Sequence, residues 1–532
     1  MKDVMLLDCT LRDGGYVNDW KFGRDNIVSI FERVVDAGID IIEIGFLDER
    51  RTFDPDRSIM PDTDCVDKIY GDLDRGQTMV VGMIDFGTCS LEHIRPASEC
   101  FLDGIRVIFK KHLRETAMAF CGELKALGYK VFAQLVSVTS YDDAEMLDLI
   151  RLANAIQPFA VSIVDTYGLM HQDNLMHYFD LLNDHLDASI ALGYHAHNNF
   201  QMGYANCIAV LNRKMSCDLQ RPMLVDGSIY GMGKSAGNAP IELIAMYMNH
   251  RMGTHYGISQ ILESIDSNIS SFYQSATWGY NMFYYLAASN DCHPNYVSYL
   301  MQKQTLSIKS INDILARLQG ETKLLYDKNV IEQLYQDYQK NEVNDADALS
   351  ALGDLLRDKP ILLVGPGSSM KKQKAKVSAF YASHRPVVIS INRIPEYLKP
   401  DYIFLSNSKR YVGLATRLAR ERYSIIATSN VTGTSPDAFD YVLNFGSLMD
   451  KDAEFVDNSL AMFLKVLVSI GVREVTLAGF DGYSVRRQNY ADPNMEYDFV
   501  KQKAAYLNEY MRGILHDLQD RIHVSFLTDT LY

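Results

Sequence analysis

Residues 193–200 read GYHAHNNF and close an apolar run that begins near Ser189. Side chains alternate on a strand, so His195 and His197 share one face while Ala196 takes the other. Two imidazoles side by side at a strand's carboxyl end can bind one cation. An isolated HxH is often incidental, so its weight comes from its surroundings. Residues 1–230 carry eight strand-like runs: Val4–Cys9, Asp40–Gly45, Thr78–Ile84, Gly104–Ile108, Lys130–Ser137, Ala160–Asp165, Ser189–His197 and Pro222–Gly227. Most are separated by helical periodicity, as in Asp25–Ala37 and Ala117–Leu127, with Gly38 and Gly128 where helices would end. Eight strands with helix-length connections predict a (β/α)₈ TIM barrel. An open doubly wound sheet has the same rhythm, and the strand-end motifs decide between them.

The first strand runs into DCTLRDGG, which places Arg12 and Asp13 side by side ahead of two glycines. Loops at the carboxyl ends of barrel strands carry such folds' chemistry. Asp13 can therefore add a carboxylate to the two imidazoles. Glu43, in IIEIGF of the second strand, would be a costly buried carboxylate unless paired, and Arg12 is its natural partner. The eighth strand leads into DGSIYGMGKSAGNAPIE, a glycine-rich loop before a helix that starts near Pro240. That loop lacks P-loop spacing. Its Asn238 can offer the cation a carbonyl oxygen. Two nitrogens plus oxygens suit Mn²⁺, Mg²⁺, Fe²⁺, Co²⁺ or Zn²⁺, with Mn²⁺ the ion expected, and the absence of a thiolate disfavours a structural zinc site. The long charged connection Leu47–Gly76 would sit at the mouth of the barrel as a lid or recognition loop.

DCTLRDGG, IIEIG, GYHAHNN and GMGKSAGNAPIE, in this order, resemble the metal-dependent aldolase and lyase superfamily of 4-hydroxy-2-oxovalerate aldolase and 3-hydroxy-3-methylglutaryl-CoA lyase. The resemblance spans about residues 3–300, and GYNMFYYLAA leans it toward the aldolase branch. It implies a divalent metal held by Asp13, His195, His197 and Asn238. It also implies that Arg12 stabilises an enolate oxygen, that Glu43 holds Arg12, and that Thr166 and Tyr280 lie near substrate. His195 would also face the substrate. Tyr16 stands where the aldolase branch has its catalytic-base histidine. The proton of the C4 hydroxyl then falls to Tyr16, a metal-bound water or the substrate itself. The implied reaction joins or splits pyruvate, or a similar 2-oxo acid, and an aldehyde. A Claisen-type acyl-CoA synthase and a degenerate scaffolding barrel are the rivals; the synthases' RDGEQ is absent. A covalent lysine route would fall to Lys110 or Lys111.

The chain has 532 residues and a net charge of −15, which argues against a broad nucleic-acid surface. The N-terminal apolar stretch is too short for a signal peptide, and no run is long enough for a membrane span. Eight scattered cysteines without a CxxC pair read as reduced thiols in a cytoplasmic protein, expected as a homo-oligomer.

Beyond the barrel, taken as residues 1–257, residues 258–345 look helical and end in the polar stretch Gln336–Asp347. Seven more strand-like runs then fill 358–532, predicting a smaller Rossmann-like domain. LLVGPGSS, PVVISINR, KPDYIFLSNSKR, EVTLAGFDGY and HVSFLTDTLY loosely resemble bacterial sialyltransferase-type nucleotide-sugar domains. The resemblance implies a nucleotide or nucleotide-sugar site near Gly365, Gly367, Ser368, Asn392 and Asn407. A glycine turn between strand and helix can cradle a phosphate. The combined expectation is an aldolase barrel tethered to a nucleotide-type domain, with a place in sugar or polysaccharide metabolism.

Overall fold

The computed structural model describes every residue except 1–2, 304–305, 324–325, 341, 433–437, 451–452 and 454–456. The chain divides into two compact units, Met1–Pro294 and Asn295–Tyr532. The helices of 258–345 are therefore shared between them, those up to Ser289 belonging to the first unit.

The first unit is built on eight parallel strands: β1 Val4–Asp8, β2 Ile41–Leu47, β3 Met79–Asp85, β4 Gly104–Phe109, β5 Lys130–Leu135, β6 Ala160–Asp165, β7 Ala191–Ala196 and β8 Met223–Gly227. Each pairs with its neighbour, and β1 pairs with both β2 and β8, so the sheet closes on itself. This is the predicted (β/α)₈ TIM barrel. Helices α1 Arg24–Asp36, α2 Thr63–Tyr70, α3 Arg114–Ala126, α4 Asp143–Ile156, α5 Gln172–His185, α6 Gly203–Ser216 and α7 Ile241–Met252 cover it. In α1 the buried residues are Ile27, Ile30, Phe31 and Val34, one stripe at helical spacing against the strands. The connection after β3 has no α-helix and makes 3₁₀ turns at Leu91–His93 and Ala97–Glu99. Pro96 interrupts any longer helix there.

The predicted lid, Leu47–Gly76, is not free. Ile59–Met60 adds a short parallel strand beside β2, and α2 follows. Ser58 N donates to Trp20 O at 3.0 Å and Ser58 Oγ to Leu11 O at 2.6 Å, tying the segment to the loop after β1. Close approach of this segment explains Gly45: with φ +143°, an added Cβ would lie 1.9 Å from Ser58 O. The β2–β3 register shifts at this point, so the irregularity directly follows Glu43.

The barrel interior is layered. Leu7, Ile41, Val81, Phe132, Ala160, Ala191 and Leu224 form an apolar floor. Above them the inward residues turn polar: Glu43, Arg106, Gln134, Ser162 and Asp226, all buried.

The second unit holds seven parallel strands: β9 Ile361–Val364, β10 Val387–Ile391, β11 Tyr402–Leu405, β12 Ser424–Thr428, β13 Tyr441–Leu443, β14 Glu474–Ala478 and β15 His523–Phe526. Their order is β13-β12-β11-β10-β9-β14-β15. Separate apolar clusters cover its two faces, one around Leu363, Ile389 and Phe463, the other around Leu362, Val364 and Val388. It is the expected Rossmann-like domain. Among the described residues, no helix is long and apolar enough to cross a membrane.

Candidate metal centre at the carboxyl end of the barrel

Asp13 follows β1, and His195 and His197 lie at the end of β7; one ligand atom from each falls within 4.8 Å of the others. All three are at least 95% buried. His195 Nδ1 lies 3.0 Å from Asp226 Oδ2, and His197 Nδ1 lies 3.0 Å from Asp165 O. Both partners are acceptors, which fixes the Nδ1–H tautomer and leaves each Nε2 lone pair for a ligand. Burial holds the His195 imidazole below its ordinary value, despite Asp226, which favours the neutral, ligand-competent ring.

Asn238 stands against His197 through an isolated bridge. Gly233 closes the same corner: a Cβ there would meet Asn238 Nδ2 at 2.5 Å and Asp13 Oδ2 at 2.8 Å. Two buried atoms in this corner, His197 Nε2 and Asn238 Oδ1, have no hydrogen-bond partner. Orphaned lone pairs of this kind are what a cation would satisfy.

The charges beneath point the same way. Arg12 Nε lies 2.7 Å from Glu43 Oε2, and its Nη1 lies 2.5 Å from Asp13 Oδ1. Arg106, fully buried on β4, places Nη1 3.2 Å from the same Glu43 oxygen and ion-pairs Asp226 through Nη2. Nη2 also donates to Gln134 Oε1 at 2.9 Å, and Gln134 Nε2 donates to Ser162 Oγ at 3.0 Å. Burial raises the Asp13 carboxyl, but the adjacent Arg12 outweighs it and holds it well below the usual carboxylate range. Burial likewise raises Asp226, and Arg106 and His195 reverse the sign. Three acidic side chains, Glu43, Asp13 and Asp226, thus share two guanidiniums here, a setting in which a divalent cation can be held. The donor set and the local charge both fit a divalent metal.

A cavity of about 60 Å³ opens above this layer, lined by Arg12, Asp13, Tyr16, Gln134, Thr166, His195, His197 and Lys234 among others. Tyr16 packs edge-on to Trp20, 4.9 Å between centroids, with Lys234 Nζ 5.3 Å from its own ring. Thr166 Oγ1 accepts a 2.8 Å bond from Ser137 N. Tyr280 does not join them: it is 61% exposed in the turn before the helix Met282–Ser289, which Asn281 caps. Lys110 and Lys111 do not line the cavity. Four lining or supporting residues went unread in the sequence: Arg106, Gln134, Asp226 and Lys234. A charge in the middle of GIRVIF or MLVDG, at a position facing the barrel axis, was the available signal.

In the second unit the predicted residues separate into two places. The turn after β9 is already filled. Gly365 N donates to Ala478 O, Gly367 N to Gly479 O and Ser368 N to Asn489 O, at 2.7–3.1 Å. Ser369 N donates to Asp481 Oδ2 at 2.8 Å. The carboxylate of Asp481 also accepts from the Ser368 and Ser369 hydroxyls, so the donors of the turn at Gly365, Gly367 and Ser368 are already partnered. Asn392 and Asn407 line a different cavity.

A family model described as HMGL-like matches residues 3–268. The 4-hydroxy-2-oxovalerate aldolase of Pseudomonas putida is 24% identical over 259 residues, covering 48% of this chain and 72% of the relative. The enzyme of the same name from Chloroflexus aurantiacus is 25% identical over 260 residues, with the same coverages. Among solved structures, a Bacillus subtilis HMG-CoA lyase aligns with 51% of this chain and 94% of its own, at 18% identity and a TM-score of 0.41. With a closed parallel barrel, and a family match that runs through all eight of its strands, the chain belongs to the HMGL-like family.

Proposed function

We propose that the barrel is a divalent-metal-dependent aldolase that makes or breaks the bond between the enolate of pyruvate, or a similar 2-oxo acid, and an aldehyde. The observation that carries this reading is the meeting of Asp13, His195 and His197 with orphaned His197 Nε2 and Asn238 Oδ1 beside a buried arginine. Family membership and the aldolases among the relatives support it. Asp13, His195, His197 and Asn238 would hold the cation. The chemistry such a cation supplies when bound is Lewis-acid stabilisation of enolate charge.

The chain's own residues do the rest. Arg12 is braced by Glu43 and Asp13, so its guanidinium is fixed before substrate arrives and adds positive charge where the enolate oxygen develops. Thr166, anchored by Ser137 N, lines the same cavity and would offer a hydroxyl to the substrate. Tyr16 and Lys234 line the cavity together, and in this scheme the Tyr16 phenol would hold the oxygen of the acceptor aldehyde. The barrel needs no covalent lysine in this scheme.

The test is exchange of the pyruvate methyl protons into deuterated water, followed by NMR. Chelator-treated protein should lose exchange and regain it with Mn²⁺ or a related ion. Full exchange by metal-free protein, or by a His195→Ala/His197→Ala double variant, would remove the proposal.

A further inference from the structure

The family match ends at residue 268, before the second unit begins. In that unit the strand order runs outward from β9 in one direction through β13 and in the other through β14 and β15. Ligands of open parallel sheets bind beyond the carboxyl ends of the strands where the order reverses. The glycine turn at this point is closed by Asp481. Beside it lies a cavity of about 130 Å³, twice the volume of the one in the barrel. Its walls come from Asn392 after β10, Asn407 and Arg410 after β11, and Tyr483, Tyr490 and Tyr497 from the segment after β14.

The polar wall is held in place. Asn392 adopts φ +54°, a left-handed conformation that few non-glycine residues take. Asn392 N donates to Phe404 O at 2.9 Å, and its Nδ2 to Ser459 Oγ at 2.6 Å. Strain sustained by surrounding bonds is typical of ligand clamps. Arg410 lies with its guanidinium carbon 4.3 Å from the centre of the Tyr497 ring and donates to Met495 O. Asn407 Nδ2 reaches Tyr497 Oη at 3.4 Å, so the aromatic ring, the amide and the cation brace one another.

We propose that this cavity binds a nucleoside phosphate. Tyrosine rings offer flat faces to a base, and each asparagine amide, though it donates and accepts once within the protein, keeps a second N–H and a second lone pair for a base edge. A guanidinium matches phosphate oxygens two at a time. Asp457 is the one acid among the described residues of the wall, and a carboxylate is the kind of group that accepts from ribose hydroxyls. A bare phosphate would not need the aromatic wall, and a neutral sugar would not need Arg410. The glycine turn serves instead to lock β9 to β14 through Asp481.

Calorimetry on the full chain tests this with CMP, UMP, AMP, GMP and their diphosphates, and with inorganic phosphate and ribose 5-phosphate as separate arms. At least one nucleotide should bind with a Kd below about 0.1 mM, and more tightly than either smaller anion. Arg410→Met should weaken it at least about tenfold, while the surface change Lys376→Ala leaves it unchanged. Arg410→Lys, which keeps charge but loses the fork, should also weaken binding. The proposal is overturned if no nucleotide binds below about 1 mM, or if phosphate or ribose 5-phosphate binds as well as the nucleotides. It is equally overturned if a folded Arg410→Lys or Arg410→Met protein, with the parent's melting temperature, binds at the parent affinity. Pyruvate proton exchange by the barrel should not change in any of these variants, so the two proposals fail separately.

Discussion

Arg106 on β4 ion-pairs Asp226 on β8 across the barrel axis, and both are shut off from solvent. The pair links the two sides of the site. Through Glu43, Arg106 reaches Arg12; through Asp226, it reaches His195. A single buried cation thus sets the position of one metal-ligand candidate and, at one remove, of the proposed enolate-stabilising arginine.

Removing that cation should unfold more than it inactivates. Arg106→Met leaves Glu43 and Asp226 facing each other's field without the charge between them. Breaking a buried pair in this way costs about 3–5 kcal/mol. The urea midpoint of the barrel should fall accordingly. A midpoint shift near zero would mean that the network contributes nothing to the fold.

Asp226→Asn tests the other end. Asparagine keeps the shape, yet its amide can present nitrogen rather than oxygen to His195 Nδ1 and weaken the tautomer that frees Nε2. Loss of such a supporting partner typically weakens metal binding about 10–100-fold. Titration of the protein with Mn²⁺, read by the signal of the free ion, measures this directly. An unchanged Kd would show that the imidazole is oriented by something else.

These residues also mark where the sequence stops being readable. Arg12, Asp13, His195 and His197 could be read because each lies at a strand end in a local pattern with its own chemistry. Glu43 was paired with Arg12 by charge alone, and the 2.7 Å contact bears that pairing out. Arg106 and Asp226 are different. Each is one charge in an apolar run, and its meaning depends on which strand lies opposite once the barrel closes, 120 residues away in the chain. Asp481 is the same problem in the second unit: nothing in GFDGY says that its carboxylate will close a turn 112 residues earlier. Tyr280 is the converse case: the resemblance carries a role for it, but not the turn in which it stands 61% exposed.

Acid should separate Asp8 from the rest of the core. It is fully buried at the end of β1, where burial raises its carboxyl from 3.8 to about 7 against the bonds from Thr10. A carboxyl raised on folding is protonated more readily in the native state. It therefore adds nothing below about pH 4 and destabilises progressively from there to about pH 7, where the loss levels off at on the order of 4 kcal/mol. Asp8→Asn removes this dependence. In chelator, to exclude metal linkage, the variant's melting temperature relative to the parent should rise between pH 5 and pH 8. A gap that does not change with pH would show that Asp8 is not the titrating group.

The strongest demand falls on Arg12. Its guanidinium is held on two sides, with Nε to Glu43 and Nη1 to Asp13, and its carbon lies 5.8 Å from the Phe46 ring. Arg12 also lines the cavity, so the N–H groups this bracing leaves over are available where an enolate oxygen would develop. Arg12→Lys keeps one positive charge but cannot satisfy Glu43 and Asp13 and still point a donor at substrate. The rate of pyruvate methyl exchange should fall about 10²–10³-fold, the scale for losing one such donor. A purely structural arginine would act differently: lysine would lower the melting temperature, and the exchange rate of the protein still folded would be unaffected. Measuring both on one preparation separates the two roles. Parent-rate exchange in folded Arg12→Lys would leave the enolate to the cation alone.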